Sequence, residues 1–242
     1  MTTKCDYCTL RRKALFDPMS PEDVAAMQRF KVGELVVDAG TQILMEGSNS
    51  PQLYTALYGM GLRYRYLENG ERQVINFVFP GDFLGLQAGL MGEMGHSVEA
   101  TTRMTLCVFK RSDLWSYMSA DPQRGFELAW LAAVEEHFLG ETLTTVGQRT
   151  ALQSVAWAFV KLYQRLKASG SSDDGVFHFP FKQRDLADAL GLSLVHTNKT
   201  IRKLKERQLI TWIGDRITIH DMPALARTGL TTLVEPRTRP IM

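Results

Sequence analysis

The stretch Phe181–Leu209, FKQRDLADALGLSLVHTNKTIRKLKERQL, constrains this chain more than any other. It divides into two short helical patterns around a glycine. In the first, Gln183–Leu190, Leu186, Ala187 and Leu190 fall on one face,. Gly191 follows, the residue type best able to take the left-handed conformation that ends a helix,. Leu192 then points inward. Ser193 is placed to cap a second helix by accepting a hydrogen bond from a free backbone N–H,. In that second helix Thr197, Ile201 and Leu204 recur at helical spacing and predict a buried side,. The opposite side carries Val195, His196, Asn198, Lys199, Arg202 and Lys203, which suits a helix laid into a DNA major groove,.

Thr211–His220, TWIGDRITIH, reads as a hairpin turning at Gly214–Asp215, a small wing behind the helix,. The formal net charge of the 242 residues is only +2, so no global affinity for polyanions is implied. The distribution matters more. Lys199, Arg202, Lys203, Lys205 and Arg207 stand against Glu206 alone, a local excess of the kind phosphate contacts need,. An ordinary amphipathic helix pair with a solvated basic face would show the same local pattern, so the rest of the chain decides.

Cys5-Asp-Tyr-Cys8 opens the chain, followed by Arg11, Arg12 and Lys13. Such a pair reads as reduced thiols, half of a metal site, or a redox pair. Ser20-Pro21-Glu22-Asp23 caps a short helix reaching about Arg29,. Between Lys31 and Lys110 the pattern becomes short β segments punctuated by glycine: Glu34–Val37, Gln42–Met45, Leu53–Tyr58, Leu62–Leu67, Gln73–Phe79, Phe83–Leu84, Ser97–Ala100 and Thr105–Phe109. Glu68-Asn69-Gly70-Glu71 signals a hairpin and Pro80-Gly81-Asp82-Phe83 a turn that re-enters the structure,. Strands at this spacing indicate an antiparallel barrel or roll. Its aromatic stripe, Tyr54, Tyr58, Tyr64, Tyr66, Phe77 and Phe79, is read as packing,.

Asp113–Met118 resumes helical spacing after a Ser112 cap, and Asp121-Pro122 opens a long helix reaching about Thr145. Apolar residues cover so much of its circumference that a second copy of the chain is the natural partner, with Phe126, Trp130 and Val134 in a dimer core,. Gln148–Lys167 is a further helix, and the polar Ala168–Gly175 a loop,. The tail Val234–Met242, with Pro236 and Pro240, reads as loose,.

Three cysteines argue against a disulfide framework,. With no long apolar run and no apolar core near the start, a cytoplasmic chain without a membrane partner is expected. The residues offer no nucleophile–base pair and no phosphate-binding glycine loop, so no catalytic residue is assigned. A cupin-like metal enzyme also uses a small barrel, but His96, His137, His178, His196 and His220 are scattered and only His96 belongs to the roll,.

The order of roll, long helix and winged helix-turn-helix resembles the Crp/Fnr family of bacterial transcription regulators over almost the whole chain. The most specific parts are PGDFLG (Pro80–Gly85), the hairpin ENGE, and LADALGLSLVHTNKTIRKLKERQLI (Leu186–Ile210) running into the wing. The resemblance implies an α+β chain in four parts. Residues 1–30 are an N-terminal segment and 31–120 an antiparallel, jelly-roll-like β-roll for sensing. Residues 121–147 form a dimerisation helix and 148–242 a winged helix-turn-helix. It also implies a homodimer on palindromic double-stranded DNA, with RNA polymerase as a further partner of an activator.

In family members that bind cyclic AMP, a Glu and an Arg-Ser pair after the PGDFxG turn hold the ribose and phosphate. The matching effector-pocket residues here are Leu86, His96 and Ser97. A buried phosphate would lack its charge partner and Leu86 offers the ribose no hydrogen bond, which implies no response to cyclic AMP. In oxygen-sensing members four cysteines hold an iron–sulfur cluster. Cys5, Cys8 and Cys107 match three of them, whereas the fourth position is Ala14,. Another donor completes the site, or it is degenerate, Cys107 then being a small buried hydrophobe. Haem, with His96 or His137 as axial ligand, is neither supported nor opposed. An effector-independent regulator with a scaffold roll is the remaining alternative.

The family's base-reading positions fall on Leu194, Val195 and Lys199. Leu194 or Val195 would pack on a thymine methyl, Lys199 would donate to guanine and Asn198 to adenine. Gln183, Ser193, His196, Arg202 and Lys203 complete the interface, chiefly toward phosphates,.

Overall fold

The computed structural model describes residues 2–235 and 237–242. Two compact units emerge. One comprises residues 2–71, Ile75–Glu135 and Thr238–Met242; the other comprises Arg72–Val74 and Glu136–Arg237 without Pro236, which lies outside the described residues.

In the first unit, α1 (Pro21–Phe30) begins at a capping box: the Ser20 hydroxyl accepts the Asp23 N–H, and the Asp23 carboxylate accepts the Ser20 N–H,. Eight strands follow, all in this unit save the first three residues of β5: β1 (Lys31–Val37), β2 (Gln42–Leu44), β3 (Gln52–Tyr58), β4 (Gly61–Tyr66), β5 (Arg72–Val78), β6 (Phe83–Leu84), β7 (Ser97–Ala100) and β8 (Met104–Lys110). They form two four-stranded sheets, β1-β8-β3-β6 and β2-β7-β4-β5. All strand pairings resolved within them are antiparallel. Tyr54, Ala56, Leu84, Leu106 and Val108 of the first sheet share one buried cluster with Leu44, Val78, Val98 and Ala100 of the second. The predicted strand set is therefore present, Phe83–Leu84 and Ser97–Ala100 with the same bounds and the others with ends shifted by at most three residues.

Between β6 and β7 lies α2 (Leu86–Met91), a short helix flanked by left-handed Gly85 and Gly92 that hydrophobic spacing did not reveal. After β8, a 3₁₀ turn at Arg111–Asp113 leads into α3 (Leu114–Ser119). Ser112 does not cap it, because its hydroxyl donates instead to the Asp113 carboxylate at 2.7 Å. Phe30 stacks on Phe109 (4.7 Å) and on Tyr117 (4.3 Å), tying α1 and α3 to β8. The aromatic stripe divides: Tyr54, Tyr64, Phe77 and Phe79 are buried, whereas Tyr58 and Tyr66 are exposed.

The helix α4 (Pro122–Gln148) crosses the unit boundary at Glu135. Leu128 and Leu131 are buried, but Phe126, Val134, Leu139, Leu143 and Val146 stay exposed, an apolar complement this chain alone does not cover.

The second unit holds α5 (Ala151–Ala168), which starts three residues later than its periodicity suggests because Thr150 and Gln153 form its cap. The stretch read as a polar loop contains β9 (Ser172–Asp173), paired with β10 (Val176–His178). Then come α6 (Gln183–Leu190), α7 (Leu194–Glu206), β11 (Ile210–Ile213), β12 (Arg216–Ile219) and α8 (Met222–Thr228). The small sheet runs β11-β12-β10-β9. Phe159, Phe179 and Trp212 meet edge to face beneath it, with centroids 5.6–5.9 Å from Trp212,.

The tail is not loose throughout. Residues 232–235 are exposed, but Pro240, Ile241 and Met242 are buried in the first unit. The physical reason is apolar character at Ile241 and Met242 together with backbone pairing at Arg239,.

Candidate nucleic-acid interface

The turn between α6 and α7 is built as its residue types dictate. Gly191 closes α6 at φ +63, and its N–H donates to Ala187 O, as does that of Leu192 at 3.0 Å. Ser193 caps α7: its hydroxyl accepts the His196 N–H at 3.2 Å, and its carbonyl accepts the Thr197 N–H at 2.9 Å,. The Asp185 carboxylate accepts the Lys182 N–H at 2.8 Å and fixes the start of α6.

Leu186, Ala187 and Leu190 of α6, and Thr197, Thr200, Ile201 and Leu204 of α7, are buried. That leaves Leu194, Val195, His196, Asn198, Lys199, Arg202 and Lys203 exposed along the other side of α7, with Gln183 half-buried at the first turn of α6. Val195 is 65% exposed. A β-branched apolar side chain held that open on a basic helix has no packing role within the chain.

The cations on this helix are not equivalent. Lys205 donates to Trp212 O at 2.9 Å, which fastens α7 to β11 and removes it from the phosphate-binding set. Arg202 approaches Glu206 only at 3.6 Å, with both side chains open to solvent, so the pair neutralises little of the positive field,. No acid pairs with Lys199 or Lys203 among the described ion pairs. The wing behaves as read: Ile213 faces Arg216 across the turn, Gly214 takes φ +58, and Ile213 projects with its side chain exposed.

The matching effector positions in the roll, Leu86, His96 and Ser97, carry no permanent cation. Leu86 opens α2 half-buried, and the buried Ser97 hydroxyl accepts the Glu46 N–H at 3.0 Å. Burial pushes the His96 imidazolium down to about 4, helped by the nearby Arg63 charge and opposed by Glu135,. His96 is thus neutral at physiological pH.

Sequence reasoning missed Arg63, a buried cation in β4. Its Nη1 donates to Glu135 Oε1 at 2.9 Å and its Nη2 to Phe83 O at 3.1 Å. Asn76 Nδ2 donates to the same Glu135 oxygen at 2.8 Å. The positive charge beside His96 is already met by a carboxylate of the chain. An arginine in a strand ordinarily reads as solvent-facing, and the one signal was an acid on the long helix.

Cys5 and Cys107 sit near Lys31, and Cys8 lies near both of those thiols. Burial pushes the Cys107 thiol up to about 11, against the opposing pull of the Lys31 ammonium, and raises Cys5 for the same reason. Lys31 itself donates to Glu34 and to Thr3 O, both at 2.7 Å. The donor set is one short of an iron–sulfur cluster's usual four. A cluster normally takes four ligands, and Ala14 offers no side-chain donor at the fourth position,. Among the described residues no three His, Cys, Asp or Glu side chains come together so as to hold a metal ion. Cys5, Cys8 and Cys107 do not form such a group, so the structure lends no support to them as metal ligands. No described helix is long and apolar enough to cross a membrane.

Comparison with known proteins agrees with this architecture. Residues 34–121 match the cyclic nucleotide-binding domain, and residues 153–228 the Crp-like helix-turn-helix domain. The nitrogen fixation regulation protein FixK of Rhizobium meliloti is 31% identical over 79% of this chain and 83% of its own. The protein of the same name from Bradyrhizobium diazoefficiens is 28% identical over 90% of each. In fold, the chain is similar to FixK2 from Bradyrhizobium japonicum, with a TM-score of 0.74 over 83% of this chain and 98% of that one at 24% identity. The chain belongs to the Crp/Fnr family of transcription regulators.

Proposed function

We propose that this protein regulates transcription by binding a two-fold symmetric DNA site as a homodimer, without a response to cyclic AMP. The exposed face of α7 carries the DNA-binding reading: Val195, Asn198 and Lys199 stand open toward a groove while Thr197, Ile201 and Leu204 anchor the helix,. Two copies joined along the apolar side of α4 would present two such helices to half-sites about 34 Å apart. Phe126, Leu139 and Leu143 are the side chains this contact would bury.

Lys199 and Asn198 are the polar candidates for base edges, and Leu194 or Val195 for a thymine methyl. Gln183, His196, Arg202 and Lys203 hold phosphates and set the register. An activator built this way would engage RNA polymerase from the DNA-bound dimer. The Arg63–Glu135 pair supports the absence of an anionic effector, because a cyclic nucleotide phosphate would have to compete with Glu135 for that cation,.

Selection from a random pool of double-stranded DNA tests the proposal. A two-fold symmetric enriched sequence is expected, with affinity falling steeply as salt rises and unchanged by cyclic AMP. Recovery of no enriched sequence would refute it.

A further inference from the structure

The segment Thr238–Met242 is anchored by interactions that its own neighbours in sequence do not provide. Residues 232–235 are exposed, as are Arg237 and Thr238, and the chain then buries three consecutive side chains. Backbone pairing supplies the first anchor. Arg239 N–H donates to Leu15 O and Asp17 N–H donates to Arg239 O, both at 2.9 Å, in a parallel bridge with Phe16. This is how an extended peptide is added alongside existing backbone, its main chain giving affinity and its side chains specificity.

The side-chain contacts are distinct in chemistry. Arg239 Nη1 reaches Asp82 Oδ1 at 3.2 Å, and Asp82 is only 3% exposed. The other Asp82 oxygen accepts the Phe79 N–H at 2.9 Å, so the carboxylate is held in place by the PGDF turn itself. Beyond the arginine, Ile241 and Met242 are buried, and Thr55 of β3 donates its hydroxyl proton to Met242 O. Phe16 completes the site by lying over Gly81, where a Cβ would meet the ring at 2.2 Å. Gly81 also takes φ +95, so the turn and the seat for Phe16 depend on the same residue,.

We propose that the roll unit carries a peptide-binding site, made by Phe16, Thr55, Gly81 and Asp82, whose ligand in cis is Thr238–Met242. The ligand class is an extended peptide with an arginine followed by proline and two apolar residues.

The test uses the chain ending at Arg237 together with a synthetic peptide of the Thr238–Met242 sequence. The shortened chain should melt lower than the full chain, bind the peptide saturably at one per chain, and regain its melting temperature. The peptide with Arg239→Ala should bind about ten-fold more weakly, the loss typical of a charged hydrogen bond. The full chain, its site filled, should bind neither. A shortened chain that folds by circular dichroism yet ignores the peptide, or binds both peptides alike, overturns the proposal. Should the shortened chain fail to fold, Arg239→Ala in the full chain provides the second measurement. Hydrogen exchange at the Asp17 amide should quicken at least ten-fold over neighbouring amides, and unchanged exchange there overturns the proposal equally.

Discussion

Glu135→Ala should cost the roll far more stability than its position on a partly exposed helix suggests. Arg63 is 9% exposed, and two of its nitrogens are engaged, by Glu135 at 2.9 Å and by Phe83 O at 3.1 Å. The third, Nε, is buried with no hydrogen-bond partner. Removing Glu135 leaves a buried guanidinium facing one neutral carbonyl, and losing one partner of a charged hydrogen bond costs about 1.5–3 kcal/mol. The Glu135 side chain remains 32% exposed, so water screens part of that loss,. A central value of about 2 kcal/mol corresponds to a fall of about 4–8 °C in melting temperature for a chain of this size.

Arg63→Met keeps the apolar stem and removes the charge. Alone it should cost at least about 1 kcal/mol, since the Glu135 carboxylate and Phe83 O lose their donor,; combined with Glu135→Ala it should be no less stable than Glu135→Ala alone, giving a coupling of at least about 1 kcal/mol in a double-mutant cycle. Thermal melts of the four proteins followed by circular dichroism measure it. A coupling below about 0.5 kcal/mol would mean that water, not Glu135, balances Arg63, and the argument against an anionic effector would lose its basis.

The remaining predictions concern other links in the structure. Lys199→Ala should lose discrimination at one base step of the selected site, by about 1–3 kcal/mol in binding to preferred against mismatched DNA; equal weakening on all sequences would make it a phosphate contact. His96, held neutral down to about 4, binds its proton more readily in the unfolded chain. Stability should therefore fall as pH drops from the ordinary histidine range toward 4, by up to about 3 kcal/mol, and His96→Gln should remove that component of a pH-dependent denaturant series. The Thr197 hydroxyl is buried with no hydrogen-bond partner, so Thr197→Val should leave stability unchanged or raise it by up to about 1 kcal/mol in urea denaturation,.

Local chemistry wrote much of this chain plainly. The α6–α7 turn was legible because glycine, serine and the apolar spacing act within a few residues of one another, and the buried set Leu186, Leu190, Ile201 and Leu204 follows from helical period alone,. The strands of the roll were legible for the same reason, as was the Ser20 cap. Short elements without a full period escaped: α2 is a single turn and a half between glycines, and β9 is two residues long.

The expectation of a metal site drew no support from the tertiary structure: among the described residues the three thiols do not gather into a metal-holding group, and Lys31 lies beside Cys5 and Cys107. The sequence by itself determined which helix faces outward and with what chemistry, since that depends on spacing. Only the tertiary structure decided that Arg63 is buried against Glu135 and that Lys205 is spent on Trp212. It alone decided that Arg239 finds Asp82, 157 residues away. Charges at such separations meet only when the fold closes the loop between them, and no local pattern records which of several acids the cation will find.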